Sequence, residues 1–288
     1  MKPSPKRVLT AAVLALGTLL STGCERVIFG LANRGTAPPS DSVVYADATG
    51  LALDVYRPQA AADGPAPVVV FFYGGSWQRG SRDQYRFVGS RLAEHGVLAV
   101  VADYRTFPRA GFPAFMDDAA QAVAWAKANA VRYGGDPARL FIAGHSAGAQ
   151  IAGLLGTDGR SLPRAGAPLT GIAGVIGLSG PYDFAITGQY QPIFGPPSQY
   201  PDAQALNFVD GDEPPFLLVH GTTDRVVEAR DSELLDAKLR AHGVATTLLL
   251  LPDTGHFAPL AGFYDAQRAP AVLPAVLEFI RTTPATAG

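Results

Sequence analysis

Residues 139–148 read Arg139-Leu140-Phe141-Ile142-Ala143-Gly144-His145-Ser146-Ala147-Gly148. A short strand-like run, Arg139–Ala143, leads into Gly-x-Ser-x-Gly, and the Ala-rich stretch Ala147–Leu155 follows. That order predicts a buried strand, a sharp turn carrying Ser146, and a helix. With 12 serines and 32 glycines in 288 residues, chance would supply such a pentapeptide roughly 0.15 times in the chain. The motif therefore draws its weight from the strand before it and the helix after it. Its glycines permit a turn tight enough to lift the serine oxygen above a sheet and to aim the next helix N-terminus at it. The bland alternative is a capping serine in a Gly-rich strand–helix turn.

The same alternation extends in both directions. Val43–Ala46 and Leu51–Tyr56 are short runs split by Thr49-Gly50, a hairpin signal. Pro67–Tyr73, Val97–Ala102, Gly174–Leu178, Phe216–His220 and Val244–Leu251 read as further strands, the apolar ones buried on both faces. Ser81–His95, Pro113–Tyr133, Ala229–Ala241 and Ala271–Arg281 have helical spacing. Asp117 and Asp118 stand early in the second of these and Gly134-Gly135 follow it, as helix ends prefer. The pattern predicts an α/β fold with a mostly parallel sheet covered on both faces, whose ligand lies beyond the carboxyl ends of the strands.

A serine hydroxyl is a weak nucleophile and needs a base. His95 and His242 stand at helix ends, His145 lies inside the Ser146 turn, and His220 ends a strand. His256, in the loop after the last strand, is free to swing over the serine and is the expected base. Asp224, just beyond the Phe216–His220 strand, is the expected carboxylate to orient it; Asp253, Asp210 and Asp212 are rivals less well placed. Oxyanion donors are expected from the backbone N–H of Ala147 and from Gly75 and Ser76 in Tyr73-Gly74-Gly75-Ser76-Trp77, where paired glycines allow close backbone approach. Trp77 either walls the pocket or packs on the sheet. Tyr182–Asp212, rich in Pro, Gly, Tyr and Phe, is expected to form a small cap. Tyr182, Phe184, Tyr190, Phe194 and Tyr200 are candidates to line the pocket or to pack the cap.

These residues resemble the α/β-hydrolase superfamily, in its carboxylesterase branch of hormone-sensitive-lipase-like, feruloyl/acetyl-xylan-esterase-like and kynurenine-formamidase-like enzymes. The resemblance runs from about Val43 to Arg281. It is carried by Gly74–Trp77, Asp103-Tyr104-Arg105, the Gly144–Gly148 turn, Ser179–Asp183, His220–Asp224 and Gly255-His256-Phe257. It implies a sheet of about eight strands, and a Ser-His-Asp hydrolase of short-chain or aryl carboxylic esters, small or polymer-borne, that uses no metal or organic cofactor. An arylformamidase or amidase on the same triad is the alternative, and a non-catalytic surface-anchored binding protein a more distant one. The family loop usually opens with His before Gly-Gly; here Tyr73 stands there, and its hydroxyl is expected to do similar bracing. Asp103 and Arg105, with Asp117 or Asp118, are expected to form a structural ion-pair network.

The chain carries 23 basic and 25 acidic side chains and a single cysteine. Near-neutral charge with few lysines argues against a nucleic-acid partner, and one cysteine excludes an internal disulfide framework or a Cys-rich zinc site. Lys2, Lys6 and Arg7 precede the apolar run Val8–Leu20, too short to span a bilayer comfortably, and Ser21-Thr22-Gly23-Cys24 follows. This reads as a secretory signal, and Ser21–Cys24 resembles the lipobox of bacterial lipoproteins, although the aliphatic residue usual three places before the cysteine is Ser21 here; the resemblance implies that residues 1–23 are a signal peptide of lipoprotein type. Cys24 is the expected lipid attachment point, an ordinary signal peptide with a chance or buried cysteine being the alternative; residues 24–40 are expected to form a flexible tether and residues 41–288 the α/β-hydrolase domain, with a short cap at about 182–212. The expected location is membrane-anchored and facing the periplasm, with Glu25 favouring the outer membrane; otherwise the protein is soluble periplasmic or secreted. Its oligomeric state is open.

Overall fold

A computed structural model describes residues 27–59 and 64–286. The signal-peptide and Cys24 expectations fall outside the described residues.

Eight strands form one sheet: β1 (Asp41–Ala46), β2 (Leu51–Tyr56), β3 (Ala66–Phe72), β4 (Leu98–Ala102), β5 (Gly135–His145), β6 (Gly174–Leu178), β7 (Phe216–Gly221) and β8 (Thr246–Leu251). Their order is β1-β2-β4-β3-β5-β6-β7-β8. Only β2 runs against the others, antiparallel to both β1 and β4; all pairs from β4 to β8 are parallel. The helices are α1 (residues 27–32), α2 (Arg86–Glu94), α3 (Ala114–Asn129), α4 (Ala147–Thr157), α5 (Ser161–Arg164), α6 (Gln191–Phe194), α7 (Ala229–Ala241), α8 (Ala258–Tyr264) and α9 (Val272–Thr282).

The central strands are apolar throughout because both faces are covered. Val68–Phe72 and Leu98–Ala102 are fully buried. Helix α3 packs with Ala119, Ala120, Ala122, Val123 and Ala126 buried, and these small side chains allow a close approach to the sheet. Strand β5 extends to Gly135, four residues ahead of its expected start, because Ala66 pairs with Gly135 across β3. Ser81–His95 divides into a 3-10 turn, Arg82–Tyr85, and α2. Helix α8, directly after His256, is too short to leave a periodic signal.

Part of the stretch read as a flexible tether is packed on the domain. Phe29 and Ala32 of α1 are buried, and the Phe29 ring lies 4.9 Å from that of Tyr85. Asn33 Nδ2 donates to the carbonyl oxygens of Asp83 and Gln84, and the Phe87 N–H donates to Asn33 Oδ1. The partners lie some fifty residues away, so no local pattern announces the contact.

The expected ion-pair network is two networks. Arg105 grips both oxygens of buried Asp118. Asp103 pairs with Arg82, which also reaches Asp54. Asp117 faces Arg164 instead.

The cap residues between β6 and β7 fold as 3-10 turns around α6 rather than as a layer. The Phe112 N–H donates to the Ile193 carbonyl, which ties the cap to the body.

Candidate active site

Four loops at the carboxyl ends of neighbouring strands converge: after β3, β5, β7 and β8. Ser146 sits between β5 and α4 with φ 55° and ψ −121°, a conformation that L-residues adopt only under constraint. The constraint is visible on either side. A Cβ on Gly144 would run into the Gly148 carbonyl, and one on Gly148 into the Phe72 carbonyl. Only glycine lets the turn close against β3. Ala147 opens α4, so its N–H is among the first-turn donors that lack an intrahelical acceptor.

His256 Nδ1 lies 2.7 Å from Asp224 Oδ2. Asp224 Oδ1 accepts the N–H groups of Val226 and Val227 at 2.8 and 3.0 Å. Burial by itself would raise the Asp224 carboxyl. Hydrogen bonds from His220 and His256 and from the Val227 N–H overcome it and hold the group well below the usual carboxylate range. Asp224 is thus a charged acceptor, and Nδ1 of His256 carries the proton it receives. Nε2 is thereby left as the basic nitrogen.

Ser146 and His256 line one cavity of about 290 Å³ with Gly74, Gly75, Ser76 and Phe29. A second cavity of about 390 Å³ also opens on Ser76 and Ser146 and is walled by Trp77, Phe184 and Tyr190, with Asp183, Glu228 and Arg230 among its polar groups. Ser146 stands where the two meet. Ser76 and Trp77 have φ 55° and 57° and Gly75 has φ 136°. This tight reversal presents the Gly75–Ser76 backbone beside the serine.

Of the two roles left open for Trp77 it takes the first, and it packs on the cap instead of on the sheet. It walls the larger cavity and stacks on the cap, 5.2 Å from Phe184 and edge-on to Phe194 at 4.9 Å. Phe184 and Tyr190 line that cavity. Phe194 is fully buried, and Tyr200 lines neither cavity. Tyr182 is displaced from the expected pocket. It is fully buried against Gly153, Gly177 and Gly180, where the absence of side chains makes room for its ring, so it packs the core under α4.

Tyr73 does not brace the loop as expected. Its hydroxyl donates to the Tyr104 carbonyl and the Tyr104 hydroxyl donates to the Tyr73 carbonyl, with the rings stacked at 4.7 Å. The bond to the loop comes from Tyr85, whose hydroxyl accepts the Gly74 N–H at 3.2 Å. The same hydroxyl lies 3.4 Å from His145 Nδ1, and His145 Nε2 faces the His256 carbonyl at 3.1 Å. Burial and the neighbouring His256 push the His145 imidazole down to about 3. It is a neutral strut between the Gly74–Trp77 loop and the His256 loop.

Gln150, fully buried on α4, accepts the Trp77 indole N–H at 3.1 Å and donates to the Ala203 carbonyl of the cap at 2.8 Å. Neither Tyr85 nor Gln150 stood out in the sequence. Each acts on a backbone or ring brought near only by folding, and no spacing rule points to such a partner. No cluster of His, Cys, Asp and Glu suited to a metal ion occurs among the described residues.

Solved structures with the same architecture include butyrate-bound esterase 2 of Thermogutta terrifontis (TM-score 0.69, 21% identity, 87% of this chain and 97% of that one). Another is an acetyl ester-xyloside bifunctional hydrolase from Caldicellulosiruptor lactoaceticus (TM-score 0.71, 20% identity, 87% and 100% covered). At that identity they speak for the fold. Among curated proteins, esterase LipC of Mycobacterium tuberculosis is 33% identical over 236 residues, covering 74% of this chain and 58% of the relative. The isoprenylcysteine alpha-carbonyl methylesterase ICME of Arabidopsis thaliana is 31% identical, with 75% and 56% covered. The chain thus spans a little over half the length of these relatives. The BD-FAE family model matches residues 53–239, which include Ser146, Asp224 and the Gly74–Trp77 loop, and the chain belongs to the BD-FAE family, with the α/β-hydrolase fold.

Proposed function

We propose that the protein is a carboxylic ester hydrolase that works through Ser146, His256 and Asp224. The observation that carries this reading is the meeting of a strained Ser146 with His256 in one cavity, His256 being held by a charged Asp224. Nε2 of His256 takes the Ser146 hydroxyl proton as Oγ attacks the ester carbonyl. The tetrahedral oxyanion docks on the N–H groups of Ala147 and of Gly75 or Ser76. The imidazolium returns the proton to the alkoxide oxygen, the C–O bond breaks and the alcohol leaves. Water then repeats the sequence on the acyl-serine and releases the acid.

The two cavities divide the substrate. The general acid must reach the leaving oxygen, so the alcohol occupies the cavity that His256 lines, beside Arg79 and Gln84. The acyl group then enters the larger cavity, whose Trp77, Phe184 and Tyr190 walls suit a short or aryl acyl group. In full-length protein, p-nitrophenyl acetate and a p-nitrophenyl aryl ester should both be cleaved, each more than about 10³-fold slower after Ser146→Ala, the fold being retained. Unchanged turnover in that variant would overturn the assignment. Cleavage of matched anilides or formamides in preference to esters would move it to the amidase reading.

We also propose that Cys24 is lipidated and holds the enzyme at the outer membrane, facing the periplasm. The lysine-and-arginine start, the apolar run Val8–Leu20 and Gly23-Cys24 support this. So does the outward stripe of Val27 and Leu31 on α1, 63% and 50% exposed, one helical turn apart and only a few residues beyond Cys24. A Cys24→Ser variant should leave the membrane fraction; retention there would count against the anchor.

A further inference from the structure

Two buried imidazoles, His145 and His220, take no step in the mechanism, and only His145 has a part as a strut. His220, the penultimate residue of β7, is fully buried. Its Nε2 lies 3.3 Å from Asp224 Oδ2 and 3.1 Å from the Val227 carbonyl. Its Nδ1 lies 2.7 Å from the hydroxyl of Ser232, which is also fully buried. Both neighbours of Nε2 are acceptors, so Nε2 must carry the proton, and Nδ1 is free to accept from the Ser232 hydroxyl.

The donors around Asp224 can now be counted. An ionised carboxylate offers about four lone-pair sites. Oδ1 takes two backbone N–H groups, and Oδ2 takes His256 Nδ1–H and His220 Nε2–H. His220 therefore supplies the last donor, on the very oxygen that holds the base. The titratable groups facing it are Asp224, His256, His145 and Asp231.

We propose that His220 is a positioning residue of the acyl-transfer site: its Nε2–H completes the donor set of Asp224 and fixes, through that carboxylate, the direction and basicity of His256. The inference rests on the reading of Asp224 and His256 given above. Its consequence has a definite sign. Without the His220 donor the Asp224 carboxylate becomes a stronger acceptor and binds the His256 imidazolium more tightly. Because kcat/KM requires neutral His256, the acid limb of its pH profile moves up.

Two near-isosteric substitutions separate this role from packing. The glutamine amide nitrogen of His220→Gln falls where Nε2 was and still donates to Asp224. The amide of His220→Asn falls where Nδ1 was and reaches only Ser232. On p-nitrophenyl acetate, His220→Asn should lose about five- to tenfold in kcat with little change in KM, the scale of one hydrogen bond. Its acid limb should move to higher pH. His220→Gln should stay within about threefold with the limb in place. Equal loss in both variants, or a folded His220→Asn with the parent limb and kcat, would overturn the proposal. Nitrogen-15 NMR of the histidine rings in the parent protein tests the geometry without turnover. A proton on His220 Nε2 at neutral pH is expected, and a bare Nε2 would overturn the proposal. A parent protein that neither cleaves the ester nor is labelled at Ser146 by a fluorophosphonate would refute the hydrolase reading instead, and the NMR result would still decide the geometry at His220.

Discussion

The loops after β5, β7 and β8 and the cap between β6 and β7 face the same serine but are built on different physics. Around Ser146, Asp224 and His256 the backbone itself is clamped. Ladder pairing runs through His220–Gly221 into β8, glycine contacts fix the turn, and Asp224 has its acceptor sites filled. The cap has short 3-10 turns and stands on aromatic packing of Trp77, Phe184, Tyr190 and Phe194, with Gln150 and Gln204 among its polar ties. Rigid backbone holds reacting atoms to fractions of an ångström, whereas side-chain packing can be remodelled without disturbing them. The chemistry and the choice of substrate are thus carried by separable parts.

The sharpest way to break that comparison is Asp224→Asn. It keeps the shape but offers an amide where His256 Nδ1 needs a charged acceptor, so the imidazole loses its tautomer and its stabilised cation. A loss of about 10³- to 10⁴-fold in kcat is expected for acetyl and aryl esters alike. A loss confined to one acyl class, measured by steady-state kinetics on both, would show that the loops and the cap are not separable.

Phe184→Ala should do the opposite. It opens the acyl cavity and removes the ring stacked on Trp77. About tenfold in kcat/KM should be lost for an aryl ester, of the order of 1.4 kcal/mol, and much less for an acetyl ester. If both esters suffer equally, the ring supports the oxyanion loop through Trp77 rather than shaping the acyl chamber.

The smallest effect is read in stability rather than rate. His145 is held neutral, down to about 3, by burial and His256. An unfolded chain binds a proton near the ordinary imidazole value of about 6.5. Between those values the unfolded state binds more protons, so His145 costs stability as pH falls through this window and costs nothing above it. In His145→Gln the amide nitrogen can still donate to the His256 carbonyl. Denaturant midpoints should then depend less steeply on pH between about 6.5 and 3, while activity at neutral pH changes little. An unchanged slope would mean that the buried ring takes up a proton in place.

Much of the fold was legible because it is written locally. Gly174–Leu178 and Ala229–Ala241 appear in the structure with the bounds their apolar runs and helical spacing imply, and the Thr49-Gly50 signal does join two antiparallel strands. Helix α1 was not legible, since its six residues, Val-Ile-Phe-Gly-Leu-Ala, are too short and too uniformly apolar for a period to separate buried Phe29 and Ala32 from exposed Val27 and Leu31. Tyr182 was read toward the pocket because a cap residue rich in apolar surface can face either way. Of the three glycines that make room for its ring, Gly153 lies on α4 and Gly177 on β6, and only folding sets their bare faces against it.

The places where the chemistry gathers are written along the chain: a Gly-x-Ser-x-Gly turn between strand and helix, a carboxylate and a histidine just past two later strands, and paired glycines after an earlier one. Each is a local pattern, and local patterns follow from backbone periodicity and turn sterics. Only the tertiary structure decided how the histidines share the work. His220 and His256 both lie within hydrogen-bond reach of Asp224 Oδ2. His220 is sealed between β7 and α7 with both nitrogens engaged, while His256 lines the cavity that holds Ser146. Which imidazole is free to act depends on what packs over it, and those residues come from elements far apart in the chain.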